Sequence, residues 1–241
     1  AGLYMSLDKG KKWKHMNEGF PAVQVSDLKI HPREHDLVIG TFGRALWILD
    51  DIRPLRKLAA EGAKILDRDL MLFDSPVAYH ASMRSYDGIR FNAQGEFIGD
   101  NKSVNYAKIN VWTKPGEDLK KEEEVMVYVK NTEGDTIRTI KRKIKGGYDQ
   151  LGWYLDEDGI RYPSRREVKK DADKPGGVDV MPGEYKVIVK KGDHVDSTMV
   201  SVKMDPRSEM GRTDMEANIN AQKEFEKTVT AASEAFDRLM K

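Results

Sequence analysis

In four separate stretches of this chain a β-branched or aromatic residue recurs at every second position, and that period of two constrains the fold more than any other feature. The residues are Ile109 and Val111 in "YAKINVW", Val125, Val127 and Val129 in "EVMVYVK", Tyr185, Val187 and Val189 in "GEYKVIVKK", and Val200 and Val202 in "STMVSVKM". Side chains on a strand point alternately to its two faces, so each run buries one face and wets the other. "DTIRTIKRKI" (135–144) and "DQLGWYL" (149–155) add further strand-like runs, with turns in "NTEGDT" (131–136) and "KKGDHV" (190–195). So many short half-buried strands between residues 104 and 205 predict a β-sandwich.

The N-terminal stretch is also β, with a different punctuation. "GLYMS" (2–6) and "KWKHM" (12–16) flank the polar turn "LDKGK" and predict a hairpin. Gly10 supplies a positive φ, Asp8 and Ser6 accept hydrogen bonds from the turn's amides, and Trp13 covers it. "VSDLKIHP" (25–32), "DLVIGTF" (36–42) and "ALWILDD" (45–51) are three apolar runs joined by short turns, and predict three more strands.

Ser6-x-Asp8-x-Gly10-x-x-Trp13 resembles the Asp-box, or BNR repeat, of β-propeller blades. "GTFGRALWILDDIRPLR" resembles the end of the propeller in sortilin-like bacterial proteins of the "glycosyl hydrolase, BNR repeat" type. "GWYL" and "MPGEYKVIVKKGD" resemble the immunoglobulin-like or fibronectin-like domains that end those proteins, and "PGEY" also resembles a strand start in flagellar hook-assembly proteins. The resemblance implies a mainly β chain: propeller remnant 1–52, linker 53–103, sandwich 104–205 and helix 206–241. It implies that Ser6, Asp8, Gly10 and Trp13 are structural, and that the rest of a parent propeller is the first partner. It also implies a secreted, periplasmic or cell-surface location. The function it implies is a non-catalytic structural or binding module; the alternative is a fragment of a sialidase-like glycosidase whose active site lies in other blades.

Between these units, Leu55, Leu58 and Ala59 at helical spacing, closed by Gly62, predict a short helix or turn. "SMRSYDGIRFNAQGEFIGDNKS" (82–103) reads as an ordered irregular linker and 156–182 as a solvated crossover. Thr213 and Glu216 in "TDME" fit a capping box. Beyond it Met215, Ile219, Phe225, Val229, Ala232, Phe236 and Leu239 predict an amphipathic helix, its stripe interrupted by Gln222. Open blades expose edges and apolar faces. Phe225, Val229 and Phe236 are the residues best placed to cover the propeller remnant or to join two copies of the chain.

The chemistry-bearing residues read mainly as structure. His31 and His35 are spaced for a metal only on a helix, whereas "HPREH" is a turn. Asp50 with Asp51, and Asp156 with Asp158, are the paired carboxylates a glycosidase would need. Asp51 instead sits at a strand end, placed to cap the next segment, and Asp156 and Asp158 lie in a turn. "DEDG" fails as a calcium loop because Arg161 stands where the sixth-position glycine belongs. Trp47, Trp112 and Trp153 read as core aromatics, while Tyr154 and Tyr162, flanking the long loop, are candidates for carbohydrate or partner contact. No motif calls for a cofactor or metal.

Charge narrows the partners. With 41 basic and 40 acidic residues the net charge is +1, which gives no field to gather nucleic acid. No apolar run approaches the ~20 residues of a membrane span. With no cysteine, disulfides and thiolate metal sites are excluded.

Overall fold

The computed structural model describes residues 1–80, 106–116, 118, 121–165, 172–206 and 208–240. The linker reading of 82–103, and positions 166–171 of the long crossover, lie outside them. The described chain is mainly β, with several sheets and a C-terminal helix.

Short polar turns set the N-terminal pairings. β1 (Tyr4–Met5) and β2 (Lys14–His15) pair antiparallel, with Tyr4 opposite His15 and their rings stacked at 4.7 Å. β3 (Val25–Ile30), β4 (Leu37–Thr41) and β5 (Leu46–Leu49) form a separate antiparallel sheet with β4 in the middle. Leu28 stands opposite Ile39, and Ile39 opposite Trp47, on one face; Val38 stands opposite Ile48, and Gly40 opposite Leu46, on the other. Both faces therefore carry large apolar side chains. Of these only Ile39 is buried, while Leu28, Ile30, Leu46 and Ile48 are exposed.

α1 (Arg53–Glu61) starts with Pro54 in its first turn, where the missing N–H has no helical partner to lose. It ends at Gly62, whose φ of +84° carries the chain out of the helix and into a 3₁₀ turn, Ala63–Asp67. β6 (Leu70–Leu72) and β7 (Ala78–His80) follow. They lie inside the stretch read as linker, yet both belong to the sandwich. Leu72 pairs with Val111, and Ala78 pairs in parallel with Val202. The strand-like apolar run Leu70–Phe73 supplies β6, whereas β7 is too short for periodicity to mark; Leu70, Leu72 and Ala78 are all buried in the main core.

β8 (Ala107–Thr113), β9 (Glu123–Lys130), β10 (Thr136–Ile144) and β11 (Gly147–Trp153) come next. Then follow β12 (Asp156–Asp158), β13 (Gly176–Asp179), β14 (Gly183–Lys191) and β15 (His194–Met204). Two sheets result, β10-β9-β14-β15-β7 and β11-β8-β6. Their inner faces share one core. Val125, Val127, Val129, Val187, Val189, Val200 and Val202 face Ile109, Val111, Leu151 and Trp153 across it. Trp153 is fully buried, donates its indole N–H to the Asp156 carbonyl at 2.9 Å and meets Tyr185 edge-on. The outer face of the smaller sheet is covered by the segment before it, where Met71, Phe73 and Trp112 pack with Leu58 and Ile65.

The 156–182 stretch is a solvated crossover only in part. β12 and β13 pair at its neck, Asp156 opposite Asp179 and Asp158 opposite Gly176. The two strands come so close that a Cβ on Gly159 or Gly177 would collide with the opposite backbone.

α2 (Arg212–Leu239) is the terminal amphipathic helix, with two corrections. Its N-cap is Gly211, not Thr213. The Gly211 amide donates to Asp214 Oδ2 at 3.1 Å, so Asp214 and not Glu216 reaches back. Glycine has no side chain to complete the reciprocal bond. The helix also packs away from the first sheet. Met215 and Ile219 bury against Val178, Met181 and Met204, and Phe225 stays 59% exposed. The buried line is set by the β13 segment and runs through Met215, Ile219, Val229 and Ser233, which leaves Phe225 and Leu239 in solvent.

Candidate functional site

Three side-chain constellations are built on this frame. The first is the turn at Ser6–Trp13. The Ser6 hydroxyl donates to Asp8 Oδ1 at 2.9 Å and accepts the Gly10 amide at 2.8 Å. Asp8 Oδ1 also accepts the Lys12 amide at 2.8 Å, and that bond above all holds the Asp8 carboxyl below its usual range. Trp13 donates its indole N–H to the Gly10 carbonyl at 3.1 Å while its ring is 65% exposed. Gly10 has φ +85°, as such a turn requires. All four residues are spent on the turn's own backbone.

The second joins the N-terminal sheet to the sandwich. Asp51 holds φ +46° at the start of α1; its Oδ1 accepts the Arg53 amide at 3.2 Å and the Arg53 guanidinium at 2.7 Å. Its Oδ2 accepts Asn110 Nδ2 at 2.8 Å, and its own amide donates to Asp36 Oδ1 at 3.0 Å. Asn110 is fully buried, and its Oδ1 accepts both the Tyr148 hydroxyl and Gln150 Nε2 at 2.9 Å. Burial first, and the carboxylates of Asp51, Asp149 and Asp50 after it, push the Tyr148 hydroxyl up to about 12. Asp51 stands one residue before the α1 N-cap, Ile52, which has no side-chain cap bond, and its bond to the Arg53 amide is one arm of a larger network. Asn110, Tyr148 and Gln150 escaped the sequence reading. They occupy the strand positions opposite to the apolar ones, and a solvated face and a face covered by another segment read alike in sequence.

The third is centred on Arg138. Its side chain lies 3.4 Å from Asp156 and 3.2 Å from Asp158, and it donates to the carbonyls of Lys174 at 3.1 Å and Pro175 at 2.8 Å. Asp158 also accepts the Thr139 amide at 3.0 Å and the Lys174 ammonium at 3.1 Å. Burial raises the Asp156 carboxyl against the pull of Arg138. Burial also acts on Asp158, but the Thr139 amide, Lys174 and Arg138 together outweigh it and hold that carboxyl low. The carboxylate pair is committed to closing the neck of the long loop.

The remaining candidates are scattered. The Glu34 amide donates to His31 Nδ1 at 3.1 Å, and His35 Nδ1 lies 2.8 Å from an Arg56 nitrogen, so each ring has a protein partner. Burial, then Arg53 and Arg56, lower the His35 imidazole. Among the described residues no group of three or more His, Asp or Glu side chains is arranged to hold a metal. Trp47 meets Phe20 edge-on and is half-buried. Tyr154 is exposed beside Tyr106 at 5.6 Å, and Tyr162 is exposed elsewhere on the long loop.

Fold and constellations together define a mainly β protein whose polar clusters fix turns, a loop neck and the seam between two β units. No family model matches the chain, and no curated protein sequence matches it. Among solved structures it is similar to dimeric latent PorU from Porphyromonas gingivalis, at 12% identity and a TM-score of 0.27. That match covers 77% of this chain and 13% of PorU, so the chain spans about an eighth of that protein's length. A likeness of this size carries no argument about fold or activity. No described helix is long and apolar enough to cross a membrane.

Proposed function

We propose that this chain is a non-catalytic structural or binding module of a BNR-repeat, sortilin-like propeller protein, acting outside the cytoplasm. The observation that carries the reading is the β3–β4–β5 sheet. Its two faces both bear exposed aliphatic side chains, Leu28 and Ile30 on one and Leu46 and Ile48 on the other. Its edge strands have no partner among the described residues. A blade within a propeller has another sheet against each face, and those neighbours would cover these residues. The Ser6–Trp13 turn supports the same reading, since its four pattern residues are used as an Asp-box uses them, in folding the turn. The non-catalytic part rests on the carboxylates, whose oxygens are taken up by Arg138, Lys174, Arg53, Asn110 and backbone amides.

The test is hydroxyl-radical footprinting of Leu28, Ile30, Leu46 and Ile48 in this chain and in the same chain carrying its natural preceding sequence. Strong labelling here and protection in the longer protein support the proposal. Equal labelling in both overturns it.

A further inference from the structure

The outer face of the five-stranded sheet carries a pattern that packing does not explain. Val127, Val129, Val187 and Val189 are buried, so the residues between them on β9 and β14 point outward. Cross-strand pairing arranges these residues in rows. One row runs Lys141, Met126, Lys190, Val195; the next Thr139, Tyr128, Ile188, Ser197; the third pairs Lys130 with Lys186 and Lys186 with Met199. Rows two residues apart on a strand lie about 7 Å from each other. Tyr128 and Ile188 therefore floor a strip with two lysines on either side of it. Lys203 of β15, opposite Tyr79, and Lys143 of β10 extend the basic face. Its acids are Glu124, opposite Lys143 and 3.7 Å from Lys141, and Glu184.

Two features mark this face as a surface for a ligand. Lys130 and Lys186 stand directly opposite each other on neighbouring strands, an arrangement that weakens a sheet, although the Lys130 ammonium also donates to the Gly134 carbonyl at 3.0 Å. Lys186 and Lys190 are exposed and make no ion pair among the described residues. With the whole chain near neutrality, this concentration of lysines is local.

We infer that this face binds a linear anionic polysaccharide. Sugar rings lying along Tyr128 and Ile188 would present their C–H faces to the ring and the aliphatic chain. Carboxylate or sulfate groups on both sides would then meet Lys130 and Lys186, and Lys141 and Lys190. Along the strip Tyr128 and Ile188 are half-buried while Lys186 and Lys190 are exposed, and the exposed apolar residues Val195 and Met199 stand on β15, one at the end of each lysine row. Insertion into a lipid surface requires the reverse, apolar groups projecting beyond the charges. The inference does not depend on the propeller reading.

Titration of the full chain with polygalacturonate, dextran sulfate, neutral dextran and phosphatidylserine vesicles tests it. The expected result is binding to one or both charged glycans that weakens with added salt, and none to dextran. Lys186→Gln with Lys190→Gln should weaken that binding at least ~10-fold, a change of about 1.4 kcal/mol. Tyr128→Leu should weaken it several-fold without altering its salt dependence. Lys11→Gln with Lys12→Gln, on the N-terminal turn and outside the five-stranded sheet, should stay within about twofold of the parent. No binding to either charged glycan, an unchanged affinity of the Lys186/Lys190 variant, or tighter binding to vesicles than to glycans overturns the inference.

Discussion

Asn110 Nδ2 donates to Asp51 Oδ2 at 2.8 Å, and through this buried bond the sandwich and the N-terminal sheet hold each other. Asn110 lies in the middle of β8, while Asp51 lies between β5 and α1. The amide oxygen turns the other way, to Tyr148 and Gln150. Removing one member leaves several buried polar atoms without partners. Asn110→Ala should therefore lower stability by about 2–4 kcal/mol, read by urea denaturation. A double-mutant cycle with Asp51→Ala should show strong coupling. Additive effects would show that the two residues act independently.

The Ser6–Trp13 turn makes a prediction about pH. Its folded carboxyl, Asp8, titrates below the ordinary aspartate value, chiefly because the Lys12 amide bonds the ionised form. Such a group stabilises the fold above its unfolded pKa, and that contribution is lost as pH falls through the folded value. The Lys12 and Gly10 amide resonances should move together in an NMR titration, with a midpoint below 3.8. Asp8→Asn should abolish that step and speed exchange of the same amides. A midpoint at or above 3.8 would refute the bond.

At the loop neck the two carboxylates should behave oppositely. Asp158 is held low, so its contribution is present at pH 7 and lost on acidification through its folded pKa. Asp156 is raised by burial, so its contribution falls away as pH rises through its folded value. Asp158→Asn should cost about 1–2 kcal/mol at pH 7 and less at pH 3. Asp156→Asn should cost less than Asp158→Asn at pH 7. Thermal melts of both variants at the two pH values decide the order, and the reverse order would contradict the assignment.

The terminal helix should steady the long loop, not the first sheet. Lys223 meets Glu157 at 2.8 Å, Ser233 donates to the Arg161 carbonyl at 2.8 Å, and Asp237 pairs with Arg161 at 2.7 Å. Deleting residues 212–241 should speed amide exchange at Asp156–Gly159 and Gly176–Val180 at least ~10-fold, because opening there no longer has to break these contacts. Exchange in residues 1–52 should stay as it was. Faster exchange in 1–52 alone would place the helix elsewhere.

Much of this fold was legible from local rules. Each run that alternates at period two became a strand, because a half-buried strand needs an apolar side chain at every second position and nothing distant. Gly62 stopped a helix and Gly10 made a turn, because a positive φ is a property of a single residue. Ser6 and Asp8 found the amides of their own turn, because their partners lie within a few positions in the chain.

The hidden part depended on neighbours distant in sequence. β7 became a strand only because β15 lay beside it. Asn110 and Lys186 occupy the same kind of outward position on a strand. The segment containing Asp51 buries one, and solvent meets the other. The helix was readable as amphipathic, but which of its apolar residues would be covered was settled by Val178, 37 positions before Met215 (215 − 178). Sequence by itself determined the longer strands, the helices and the local turns, since these follow from side-chain periodicity and single-residue torsions. Tertiary structure alone decided which faces meet, and with that which polar side chains became a seam and which lysines were left facing water.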